Sequence, residues 1–280
     1  MKSCRALFLY VPPSTHENKI AYLFLTDKGE ADRSDTFARI RDAAVDPHES
    51  YILFHQKGPG SDPGPTNAPV YIFTNESLLR LGYIPIVMRI IPGSNHFPVL
   101  QFFRDHPGFT YYWVIEDDVR FNGKWEYLFD FFNRYEHDLI SSHIKRFRDE
   151  PDWNWWNSLS HPSKIIRSEK RIRSFNPIYR ISGKALGFIH VALSDKWVGH
   201  HEVLLPTLLY HGGFTILDFG GDGDFVSAGN RNRFYTSRTP DTKGSLLYEG
   251  TMRYRPAWDT PGSGVNKLYH PVKTAFERRT

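Results

Sequence analysis

Glu116, Asp117 and Asp118 stand in a row directly behind the apolar run Tyr111, Tyr112, Trp113, Val114 and Ile115. Three carboxylates packed this closely repel one another, so a folded chain keeps them together where a cation or a solvated turn relieves the repulsion. The cation option carries definite chemistry. Carboxylates at a strand end bind Mg²⁺ or Mn²⁺ through oxygen, and such an ion bridges nucleotide phosphates and neutralises a departing diphosphate. The turn option is a capped, solvated triplet with no ligand.

Glu202 is the second candidate, close behind Gly199, His200 and His201 at an expected helix start. A carboxylate there can take the proton from an attacking hydroxyl; it is equally a first-turn Glu stabilised by the helix dipole. His200 and His201 are adjacent and share no helix face, so the pair alone makes no metal site. Gly220 to Asp224 (GGDGD) is a tight turn with Asp222 and Asp224 close to any acceptor ligand, and its glycines serve the turn whatever the acids do. Near the C-terminus His270 lies between Lys267 and Lys273, where an imidazole can complete an oxygen-rich metal site and the lysines can meet phosphate. Trp153, Trp155 and Trp156 sit in one polar loop, either as stacking faces for a sugar or as an apolar plug over the sheet.

Alternating elements must position these groups. Ile20–Thr26 and 51–55 are short runs rich in β-formers on either side of a charged helical stretch at 36–44. Val70–Phe73 is a third expected strand, 76–81 a short helix, 84–91 a fourth strand, His96–Asp105 a helix and 111–115 a fifth strand. The alternation predicts an α/β fold with a Rossmann-type, mostly parallel central sheet flanked by helices. In such sheets ligands bind beyond the carboxyl ends of the strands, where Glu116 to Asp118 fall. Downstream, 139–142 and 215–219 read as strands and 184–194 and 199–210 as helices, despite Pro206. The segment 258–280, rich in Pro and Gly, reads as a wrapping tail on a single domain.

With 280 residues, 40% of them hydrophobic and 24% charged, the chain can bury one substantial core. Its single cysteine, Cys4, excludes an internal disulfide framework and a multi-cysteine zinc site, which points to the cytoplasm. The apolar run 6–11 is too short for a membrane span and is followed by Pro12 and Pro13. A net charge of +4 suits an anionic small molecule or peripheral contact with the inner face of a membrane through basic residues. The basic run 164–173 and the group Arg231, Arg233 and Arg238 read as solvated faces, and no nucleic-acid-binding motif accompanies them.

Together these pieces resemble a GT-A glycosyltransferase, with a nucleotide-binding half at about 18–120, an acidic D-x-D-like motif at a strand end, an acceptor-binding half at 121–257 with a helix Glu, and a late His. More distantly, the IAYLFLT strand and the order of elements are similar to the core-2/I-branching N-acetylglucosaminyltransferases. The resemblance covers about 18–273, and its motif-like parts are the acidic triplet and the segment 199–207. It implies a nucleotide-sugar donor, UDP-linked by preference, a carbohydrate or glycolipid acceptor, and Mn²⁺ or Mg²⁺ on Asp118, Glu116 and His270. It implies Glu202 as the base of an inverting displacement. Thr26, His55, Gln56, Arg89, Asn95, Glu116, Asp117, Lys267 and Lys273 would meet the nucleotide-sugar, and Trp153, Trp155, Trp156, His201 and Asp222 the acceptor. The acidic motif departs by leading with Glu. The branching enzymes work without metal, and Lys267, Lys273, Arg253 or Arg255 would then stabilise the diphosphate.

Two other readings stand beside this one. A sugar nucleotidyltransferase would want a Gly-rich phosphate loop after the first strand, and Thr26 to Glu30 (TDKGE) is a poor match. A non-catalytic carbohydrate-binding protein would need only the tryptophan loop and the basic run.

Overall fold

A computed structural model describes residues 18–237 and 250–273, for 30–34 the backbone only. Cys4, the apolar run 6–11, Arg238 and the tail beyond Lys273 lie outside the described residues. The chain runs β1 (Ile20–Thr26), α1 (Glu30–Ala43), β2 (Glu49–His55), β3 (Val70–Phe73), α2 (Asn75–Leu79), α3 (His96–Asp105), β4 (Tyr111–Glu116), β5 (Arg120–Phe121) and α4 (Trp125–Asn133). It continues with β6 (Leu139–Arg146), β7 (Ile172–Ser182), α5 (Gly183–Ser194), α6 (His201–His211), β8 (Ile216–Asp218) and β9 (Leu268–Tyr269).

Seven strands form one sheet in the order β3-β2-β1-β4-β7-β6-β8. β7 runs antiparallel to β4 and β6, and the other neighbours pair in parallel. Every residue of β1 is buried, because a central strand covered on both faces has no solvent side. Alternate residues feed two cores. Leu23, Tyr112 and Val114 join α3, α5 and α6 on one face, whereas Tyr22, Phe24, Trp113 and Ile115 join α1 and α4 on the other. The result is a three-layer α/β/α arrangement.

The segment 84–91, expected as a strand, is irregular. Pro85 cannot donate to a ladder, and Ile90 takes a positive φ of 64° that a β-branched residue rarely adopts. The sheet also has no slot for it, since β1 pairs directly with β4, Leu25 opposite Glu116. The segment expected as the fifth strand is therefore the fourth, β4. β7 takes in Ile172 and Arg173 at its start. The basic run 164–173 is thus not one solvated face: Arg173 is fully buried.

Two features bring the site together. The last β4–β7 pair is Ile115 with Ile178, so residues 172–177 of β7 overshoot the end of β4 and wall the space beside Glu116. The tail returns as β9 against β5, just past the acidic triplet, and Val272 N–H donates to Asp118 O at 2.8 Å.

Candidate active site

A cavity of about 660 Å³ opens beyond the end of β4. Glu116, Asp118, His201 and Glu202 line it, and His270 and Lys273 join them from the tail. The carboxylates of Glu116 and Asp118 and the imidazole of His270 each offer a ligand atom within 4.8 Å of the others. Chain geometry explains the selection among the three acids. Glu116 and Asp118 face the cavity, while Asp117 turns back toward β1, where it accepts from Thr26 Oγ1 at 2.6 Å and pairs with Lys28 at 3.3 Å.

His270 is oriented from behind. Its Nδ1 lies 2.8 Å from Arg253 O and must donate to it, so Nε2 is the atom presented to Asp118 Oδ1 at 3.2 Å and Glu116 Oε2 at 3.9 Å. A ring nitrogen fixed by a backbone carbonyl is the usual support of a metal-binding imidazole. A lone pair on Nε2 would face two carboxylates, an arrangement relieved by a proton or by a cation. Burial works to lower the His270 pKa, but Asp118 and Glu116 more than offset it and hold it above the ordinary value. Burial likewise works to raise Asp118, yet His270, Lys273 and Lys28 hold it well below the usual range. Glu116 is pushed up by burial and by Asp118. Asp118 Oδ1 is buried and has His270 Nε2 as its ion-pair partner. Two carboxylates and one oriented imidazole fit a hard divalent cation such as Mg²⁺ or Mn²⁺.

Glu202 lies in the first turn of α6, and that turn is tied to β7. Pro206 has no N–H to give the Glu202 carbonyl, and Ser174 Oγ takes its place at 3.4 Å. Asn176 N–H approaches Glu202 Oε1 at 3.4 Å, and His200 Nδ1 accepts from Glu202 N–H at 3.3 Å as the helix cap. Burial pushes the Glu202 carboxyl up to about 7, partly opposed by the charge of Arg173. Arg173 is ion-paired with Glu150 and lies over the Trp153 ring at 5.2 Å.

The expected site residues divide. Arg89, Asn95, Glu116, Asp118, Trp153, Trp155, His201, Glu202, His270 and Lys273 all line the cavity. Asn95 Nδ2 donates to Glu116 Oε1 at 2.8 Å, and Lys273 Nζ stands 3.4 Å from Asp118 Oδ2. The rest do not reach it. Thr26 is committed to Asp117, His55 stacks on Phe73 and bonds Asn75, and Gln56 donates to Ser61 O. Lys267 donates to Asn232 O, and Trp156 is a core residue whose Nε1 donates to Glu150 O. Asp222 pairs with Lys145 at 2.5 Å, and Asp224 with Arg146 and Arg148, so the GGDGD turn is a surface ion-pair cluster beside β6. Arg253 is turned to Pro256 O and the Trp258 ring, leaving Arg255 as the cavity's second arginine beside Arg89.

Three contributors were not legible as site residues. Asn176 and the Glu150–Arg173 pair depend on how β7 overshoots β4. Tyr254 lines the cavity mouth beside Arg255 from an irregular segment with no periodicity to read. The Trp155 ring stacks on His200 at 4.6 Å and 18°, its other side partly exposed. Among the described residues no helix is long and apolar enough to cross a membrane. No protein-family model and no curated protein matches this chain.

Proposed function

We propose that this protein is a glycosyltransferase that moves a sugar from a nucleotide-diphosphate donor to a hydroxyl acceptor, with inversion and with help from a divalent metal. One observation carries the reading: a single cavity is lined by the convergent Glu116, Asp118 and His270, by the basic Lys273, Arg89 and Arg255, and by Glu202, a carboxyl tuned near neutrality.

Each residue then has a task. Glu202 takes the proton from the acceptor hydroxyl as that oxygen bonds to the anomeric carbon, and the bond from that carbon to the diphosphate oxygen breaks with its electron pair on the diphosphate. A base near pH 7 suits that transfer. Asp118, Glu116 and His270 would hold Mn²⁺ or Mg²⁺, which supplies charge neutralisation for the leaving diphosphate. Lys273, Arg89 and Arg255 add fixed positive charge on the same group. Trp155 offers an aromatic face to the acceptor. A glycolipid or a growing surface polysaccharide is the acceptor class in keeping with this reading.

A metal-independent variant is favoured by Lys273 beside Asp118 and by the ease with which His270 holds a proton. The nucleotidyltransferase reading has less support, since Lys28 is turned to Asp117 and its loop does not line the cavity. The test is a panel of nucleotide sugars with manganese: hydrolysis or transfer that is lost in Asp118→Ala supports the proposal. Absence of binding and hydrolysis across the panel, with Asp118→Ala changing no ligand response, would sink it.

A further inference from the structure

The cavity changes character from its floor to its mouth. Its acids, Glu116, Asp118 and Glu202, are buried or half-buried, whereas the exposed residues that line it are apolar or aromatic apart from Asn154 and the two arginines. Val87 is 43% exposed, Trp155 42% and Tyr254 57%. Met88, next in the chain between the lining residues Val87 and Arg89, is 85% exposed. Three separate loops bring these side chains to one opening: the segment 84–91, the tryptophan loop, and the stretch that precedes β9. A lone apolar side chain on a protein surface is ordinary, but several gathered around one polar cavity mark a place where apolar matter is taken up.

The residue types narrow what that matter is. An aromatic ring receives a sugar face or a hydrocarbon chain equally well. Val87, Met88 and Pro92 offer no π face and no strong hydrogen-bonding side chain. Hydroxyls laid over them lose water and gain no partner, while methylenes gain by leaving water. The floor is the reverse, since its carboxylates and Asn95 suit a ligand with polar groups. A free saccharide matches the floor and the two rings but not the aliphatic part of the mouth. A hydroxyl-bearing head on an apolar chain matches both ends.

We propose that the acceptor is an amphiphile, with its sugar or other hydroxyl-bearing head beside Glu202 and its apolar chain lying over Val87, Met88, Trp155 and Tyr254 at the mouth. The proposal rests on the glycosyl-transfer reading and narrows it: the acceptor is lipid-linked, and a saccharide without a chain is a poor substitute.

The test titrates the wild-type chain with dodecyl maltoside and octyl maltoside, each below its micelle concentration, and with maltose. Dodecyl maltoside should bind at least about tenfold more tightly than maltose, with octyl maltoside between them, because each methylene that leaves water adds affinity. Met88→Asp should remove about tenfold of that gain. Ile165→Asp, at a position 87% exposed and outside the cavity lining, should leave it unchanged. Equal binding of maltose and its alkyl forms, or an equal loss in both variants, would overturn the proposal. So would a mass by light scattering of two chains that returns to one in Met88→Asp, since a second copy would then cover the mouth. UDP titrated into the same wild-type protein with Mn²⁺ keeps the two readings apart. Binding of UDP with no effect of the chain leaves glycosyl transfer to a soluble acceptor, and an effect of the chain with no binding of UDP leaves an amphiphile pocket without the transferase.

Discussion

Asn95 Nδ2 donates to Glu116 Oε1 at 2.8 Å, while Oε2 of the same carboxylate faces His270 Nε2 at 3.9 Å. The amide fixes one oxygen and leaves the other for the cluster. Support of this kind is typically worth about 10–100-fold in metal affinity. Asn95→Ala should therefore weaken Mn²⁺ binding about tenfold or more, read by calorimetric titration, and Asn95→Leu, which also removes the amide donor, should weaken it to a similar degree. Unchanged affinity in both variants would show that Glu116 is not a ligand.

Metal should also stabilise the fold. A ligand that binds only the native state at 100 times its Kd adds about 2.7 kcal/mol, so Mn²⁺ should raise the melting temperature of the wild type and not that of His270→Ala or Asp118→Ala. An equal rise in all three would place the ion elsewhere.

Glu202 sets a pH dependence. Its carboxyl is held at about 7 by burial against an ordinary 4.5, so activity should climb as the pH rises through 7 and level off above. The stability effect has the opposite sign. Between the two values the folded chain keeps a proton that the unfolded chain has lost, so this group's contribution is fully present below pH 4.5 and is lost as the pH rises through 7. The loss is on the order of 3 kcal/mol. Glu202→Gln should lower turnover by about 10²–10⁴-fold, keep nucleotide affinity, and flatten the stability profile measured by urea unfolding at pH 5 and pH 8. A non-catalytic binding protein would show no turnover in either form and unchanged ligand affinity.

The pair Arg173–Glu150 is buried on both sides. Arg173→Met should cost about 3–5 kcal/mol, because Glu150 is left uncompensated. Arg173→Met with Glu150→Gln should recover much of that, and the pH midpoint of activity should rise, since Arg173 opposes the upward push on Glu202. A midpoint that stays put would separate the pair from the base.

The tryptophan loop divides in a measurable way. Trp156 is 2% exposed, and Trp156→Ala should cost about 3–5 kcal/mol of stability. Trp155 is 42% exposed and stacked on His200. Trp155→Ala should leave stability nearly unchanged and weaken acceptor affinity.

Much of this arrangement is legible in the sequence because its strands read as continuous apolar runs: β1, buried along its whole length, and β3, at the sheet edge, fall at the expected residues, and α3 does as well. The acidic triplet is legible for the same reason, since a strand end marks a ligand edge in this class of sheet. The segment 84–91 misleads because its apolar residues serve a cavity wall rather than a ladder: Ile86 and Val87 line the cavity, and Met88 is exposed. Asp222 and Lys267 mislead because a nearby acid or base in the chain cannot reveal that Lys145 or Asn232 will claim it in the fold. Arg173 is read as solvated because a run of charges carries no sign of which member will meet Glu150 inside.

The account stands on Glu116, Asp118 and His270 closing on one cation at the diphosphate. A crystal of the protein grown with Mn²⁺ and UDP measures this directly through the anomalous signal of manganese. The predicted result is a single peak bonded to Asp118, Glu116 and His270 Nε2 and to oxygens of the diphosphate, with Glu202 facing it across the cavity. A nucleotide seated in the cavity with no manganese among those three side chains, or a peak bound by other residues, would contradict it.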